Sequence, residues 1–263
     1  VSSLALDHAL RRDRAIVLTG LGALVAVAWL YLCRDAAGIE PAQMPAGVTM
    51  AMPAMATWTL TELLTLVAMW MVMMIAMMVP SAAPIVLMFT ALERKQPIGA
   101  APVGRAGLFL LGYLCVWTAF SVVAAAAQWA LHAVALMSPM MMTTSPILGG
   151  LLLIAAGAFQ WTPLKRACLA TCRSPIGFLL GEWRDGRRGA VAMGLRHGAI
   201  CLGCCWLLMA LLFVAGVMNL LWVAAIAAFV LIEKAFPRGE AIARGAGVLL
   251  VVAGLLMLTR GSI

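Results

Sequence analysis

Apolar residues run through this chain in long blocks that no charged side chain interrupts. Such blocks lie at 15–33, 63–92, 106–131, 146–164 and 198–232, with a shorter one at 245–259. An uncharged apolar run of about 18 residues is long enough to cross a bilayer as a helix. Block 198–232 is roughly twice a spanning length at a rise of about 1.5 Å per residue. It is expected to hold two helices, with Gly216 and Asn219 marking the turn between them. The pattern therefore predicts an all-α, polytopic membrane helix bundle in a single transmembrane domain over 1–263. Its seven spans are expected near 14–33, 60–90, 106–136, 147–164, 194–216, 219–233 and 245–260. Open strands are excluded from that reading, because their unpaired backbone groups would be stranded in lipid. Pro80 and Pro84 interrupt the inner half of the second helix.

Composition agrees with the pattern. Of 263 residues, 65% are hydrophobic and 11% are charged, against a typical charged share of about 25% in soluble domains. So few charges cannot cover a water-facing surface. The formal charge of +8 invites a nucleic-acid reading, but its distribution excludes one. With the N-terminus in the cytoplasm, every Lys and Arg except Arg34 and Arg260 falls in a cytoplasmic segment. That is the positive-inside bias of a bacterial inner-membrane protein. The first span resembles a secretory signal behind Arg11, Arg12 and Arg14. Its apolar stretch is too long for one, and Arg34–Asp35 offers no small-residue cleavage site, so it is expected to be a retained helix.

Sulfur carries the candidate chemistry, and it is sorted by side. Cys201, Cys204 and Cys205 fall at i, i+3 and i+4, on one helix face, with His197 one turn before Cys201. Cys168 and Cys172 stand four residues apart where the fourth helix is expected to leave the membrane. Thiolate and imidazole together suit a soft or borderline ion, Cu(I) first and zinc second. The same cysteines also suit simple packing between membrane helices, as do Cys33 and Cys115. Met69, Met73 and Met77 form a stripe at i, i+4 and i+8 of the second helix, flanked by Met74 and Met78. Two outer segments add Met50, Met52 and Met55, then Met140, Met141 and Met142. A thioether stays a ligand for Cu(I) in an oxidising space where thiolates would not survive. Methionine outside, methionine in the second span and cysteine inside form an order by compartment. Gap-filling by methionine in an apolar bundle is the plainer alternative.

Several stretches resemble an uncharacterised bacterial family of predicted metal-binding integral membrane proteins, a domain-of-unknown-function family. They are MWMVMMIAMMVPSAAP (69–84), GYLCVW (112–117), GAFQWTPLKRACLATCRSP (157–175), CLGCCWLLM (201–209), and GVMNLLWV followed by Glu233–Lys234. The resemblance covers most of the chain between the second and sixth predicted helices, and it implies metal binding but no reaction. No nucleophile–base triad, phosphate loop or paired-carboxylate site is visible, so an enzyme is not the expectation. The first reading is a membrane protein handling Cu(I), by transport, storage or delivery to a copper enzyme. Met50, Met52, Met55 and Met140 to Met142 would capture the ion outside. Met69, Met73 and Met77 would pass it to Cys168, Cys172, Cys201, Cys204, Cys205 and His197. Its partners would be the bilayer, the metal ion, and a membrane or periplasmic copper protein or larger complex. The alternatives are a non-catalytic scaffold subunit of a membrane complex and a membrane thiol oxidoreductase. Adjacent Cys204 and Cys205 would make a strained disulfide, which weighs against the last.

Overall fold

A computed structural model describes residues 3–38, 60–95, 101–134 and 145–260. Those residues form helices α1 (Ser3–Gly38), α2 (Leu60–Arg94), α3 (Pro102–Ala133), α4 (Pro146–Phe159) and α5 (Pro163–Cys172). They continue as α6 (Pro175–Glu182), α7 (Gly186–Ala210), α8 (Leu212–Ala215), α9 (Leu220–Ala235) and α10 (Gly239–Arg260). No strand occurs among the described residues. Prolines open α3, α4, α5 and α6 at their first turns, where a missing N–H costs nothing. Ser145, Thr162 and Asn219 cap α4, α5 and α9 with side-chain oxygens that accept backbone N–H groups.

Five helices are long and apolar enough to cross a membrane, or six when the bent pair α4–α5 is counted as one span. Seven full spans were expected, and two elements account for the difference. The helix predicted near 147–164 breaks after Phe159, and α5 leaves it at 64°. The break is chemical. Pro163 has no N–H to continue the α4 ladder, and Thr162 caps a new helix from its own hydroxyl. The helix predicted near 219–233 exists as α9, but its 16 residues fall short of the about 20 that a full crossing takes. Gly216, at φ +95°, makes the expected turn before it.

The surface is inverted relative to a water-soluble bundle. Leu221 and Leu249 are 77% and 72% exposed, and large apolar side chains such as Leu111, Val123 and Leu151 join them outside. Inside lies a core of Trp70, Met73, Met74, Met77, Met78, Trp117, Cys201, Cys205 and Met209. A second core of Phe89, Phe109, Leu179 and Met193 lies towards the arginine-rich end. That end is tied by ion pairs from Arg94 to the buried Asp13, and from Arg105 to the buried Glu93 at 2.6 Å.

Helices α3 and α7 approach backbone to backbone. A Cβ at Gly112 would strike the carbonyl of Val191, and one at Gly194 would strike that of Phe109. This close packing holds Tyr113 of α3 over the cysteine face of α7. Gly194→Ala is expected to lower stability by about 1–3 kcal/mol through overpacking, read as an earlier thermal unfolding midpoint in detergent. Gly22→Ala, with nothing within 4 Å of the added carbon, should leave that midpoint in place.

Candidate metal centre

The buried face of α7 carries His197, Cys201, Cys204, Cys205 and Met209 in consecutive turns. Because α5 turns aside at the break, Cys172 at its C-terminal end comes against that face and interacts with both Cys201 and Cys204. Cys201 is the hub, in contact with Cys172, Cys204 and Cys205. Cys168, one turn back on α5, is half-buried and packs on α7 at Gly203, its Sγ 3.0 Å from where a Cβ would stand. All seven cysteines are free thiols. Cys33 and Cys115 are exposed and stand apart from the cluster.

Groups from three further helices close around Cys201. The Tyr113 hydroxyl on α3 lies 3.1 Å from its sulfur and donates to the Met78 carbonyl of α2 at 3.2 Å. Lys234, near the end of α9, donates to Cys201 Sγ and to Ser81 Oγ, each at 3.0 Å. Ser81 in turn donates to the Met78 carbonyl at 2.9 Å. The thioether of Met78 sits 4.0 Å from Cys205 Sγ. His197 lies one turn along α7 from Cys201, its ring parallel to Tyr113 at 5.9 Å and edge-on to Phe178 at 5.1 Å. Its Nδ1 is buried and has no hydrogen-bond partner among the described residues.

The resting thiols are satisfied internally. Cys204 and Cys205 each donate to the Cys201 carbonyl at 3.0 Å. In this arrangement no group of three or more His, Cys, Asp or Glu among the described residues is already spread into an ion-holding geometry. The donors are assembled, but side chains must rotate to surround an ion. The donor set is sulfur-rich and contains no carboxylate, which suits a soft cation and not a hard one.

Two neighbouring residues of α9 split their tasks. Glu233 accepts from Lys165 of α5 at 2.8 and 3.0 Å, with both side chains almost wholly buried. Lys234 points the other way, to the thiols. The sequence places these two on different faces and counts Lys165 as an ordinary cytoplasmic charge. The fold instead makes Lys165 the tie that holds α5 in the bundle.

Among the methionines, the sulfur contact to the cluster belongs to Met78. Met69, Met73 and Met77 are all buried in the core along the same helix. Met50, Met52, Met55, Met140, Met141 and Met142 lie outside the described residues. Tyr113, Ser81, Met78 and Lys234 were not singled out as site residues from sequence. Only the motifs that contain them, GYLCVW, MMVPS and the Glu233–Lys234 pair, signalled them.

A family model for PpoB2, described as a copper chaperone, matches residues 67–257. The chain belongs to that family. The PpoB2 match takes in every residue of the thiol cluster and all helices from most of α2 through most of α10. No curated protein and no solved structure matches the chain.

Removing one partner of the buried Lys165–Glu233 pair strands a charge in the apolar core. Lys165→Met should cost about 3–5 kcal/mol and loosen α5, exposing Cys172 to maleimide labelling. The double variant K165M/E233L should regain most of the loss. Equal labelling in all three proteins would contradict the tie.

Proposed function

We propose that this chain spans the bacterial inner membrane and holds Cu(I) in the α5–α7 thiol cluster, for hand-over to a copper protein. The observation that carries the reading is the convergence of Cys172 with Cys201, Cys204 and Cys205, inside the segment that matches the copper chaperone family. Thiolates from two separate helices give a soft ion the low coordination number it favours. Met78 stands beside them as a thioether donor. His197, with an unoccupied ring nitrogen one turn away, is a reserve ligand. Cys168 lies at the edge of the same set.

Orientation follows from charge. The arginine-rich end, where Arg94, Arg105, Arg173 and Arg196 gather, belongs on the cytoplasmic side by the positive-inside rule. The thiols then lie towards a reducing compartment, in keeping with seven free cysteines. Buried Met69, Met73 and Met77 provide soft donors along α2, on the way from the outer side. In this scheme Met50, Met52, Met55 and Met140 to Met142 are the capture residues at the outer face. Zinc is the competing ion for the same thiols.

Copper content tests the reading. The full chain, purified in detergent and loaded with Cu(I) under reducing conditions, should retain copper after desalting. The Cys201→Ser, Cys204→Ser and Cys205→Ser triple variant should fall to the background of a protein-free control. Cys33→Ser/Cys115→Ser should keep the wild-type content. Copper retained equally by the triple variant would remove the cluster from the proposal.

A further inference from the structure

A lysine is an unexpected neighbour for a cation site. Lys234 donates to Cys201 Sγ at 3.0 Å, so its ammonium stands where an incoming metal ion would meet a like charge. No carboxylate pairs with it among the described residues. Glu233, the neighbouring acid, is spent on Lys165 through both oxygens. The surroundings of the hub sulfur are otherwise neutral: Tyr113, Ser81 and the Met78 carbonyl. The cluster therefore carries one positive charge that belongs to the protein.

We propose that Lys234 is a fixed counter-charge that makes the thiol centre prefer a monovalent soft ion to a divalent one. The inference rests on the copper reading above and adds a determinant of selectivity. Two of the clustered thiols, Cys201 and Cys172, have no hydrogen bond to a backbone carbonyl among the described residues, whereas Cys204 and Cys205 both donate to the Cys201 carbonyl. The first two are the sulfurs most readily given to an ion. A monovalent ion between two thiolates leaves a net single negative charge, and the Lys234 ammonium cancels it. A divalent ion between the same two thiolates is already neutral, so Lys234 leaves the site with an uncompensated positive charge in an apolar core, which is costly. Recruiting Cys204 or Cys205 as a third thiolate would cancel that charge only by breaking its bond to the carbonyl. Ser81 makes room for this arrangement. Its hydroxyl already accepts from Lys234 at 3.0 Å, so the ammonium keeps a partner when the Cys201 sulfur turns to an ion.

The test compares Cu(I) and Zn(II) affinities of the full chain in detergent, each measured against a chromophoric chelator. Lys234→Met should weaken Cu(I) and tighten Zn(II). The preference for Cu(I) should fall at least about tenfold, the two affinities moving in opposite directions. Lys234→Arg, which keeps the charge, should stay near wild type. Lys234→Gln keeps a donor for Ser81 and reads the same charge change should the methionine variant not accumulate. A variant damaged in its fold would lose both ions together, and that outcome overturns the selectivity role. Unmoved affinities in Lys234→Met and Lys234→Gln, with Cu(I) binding still lost in Cys201→Ser, overturn the role of Lys234 alone. Equal Cu(I) binding by wild type and Cys201→Ser overturns the copper reading beneath it.

Discussion

A buried ion pair between Lys165 and Glu233 is the constraint on which the thiol centre depends. Helix α4 cannot continue past Phe159, because Pro163 offers no N–H and the Thr162 hydroxyl starts a new helix. The short α5 that follows has little apolar surface of its own with which to bury itself. It carries Lys165 into the core, where the ammonium would be prohibitive without a carboxylate to meet it. Glu233 supplies that carboxylate from α9. Arg173, just past the end of α5, adds bonds to the Phe236 and Pro237 carbonyls at 2.7 Å. Pinned at both ends, α5 presents Cys168 and Cys172 to α7, each half-buried there.

Several polar groups at this depth answer one another. Tyr113 and Ser81 converge on the Met78 carbonyl, and Lys234 joins Ser81 to Cys201. The Trp70 indole donates to Gln128 at 2.7 Å further along the same bundle. Hydrogen bonds in such surroundings are strong and leaving one unmade is expensive, so the network fixes the relative rotation of α2, α3, α7 and α9. Gly112 and Gly194 contribute by removing bulk between α3 and α7. Packing sets the distance between helices, and the polar network sets which faces meet.

Much of the architecture was legible in the sequence because charge-free apolar blocks report long apolar helices directly. The turn at Gly216 and the α7 face bearing Cys201, Cys204 and Cys205 followed from local rules. The break after Phe159 was harder to read. Gln160, Thr162 and Pro163 are ordinary tokens inside an apolar run, and periodicity does not say whether the chain kinks or reverses. The site was half visible. Spacing places cysteines on a helix face, but it does not say which other helix meets that face. Lys234, Tyr113, Ser81 and Met78 come from three different helices, and their meeting is a property of packing. Met78 in place of Met77 is a rotation of about 100° on one helix, finer than a stripe of methionines can resolve.

A hydrogen-bonded thiol has a partner to give up before it can serve another. Cys204 and Cys205 both rest on the Cys201 carbonyl, so neither is a starved donor. Calling either sulfur to another partner costs that bond, so it is a weaker ligand than the same sulfur would be if held open. Sulfurs splayed apart, with nowhere else to turn, would carry no such cost.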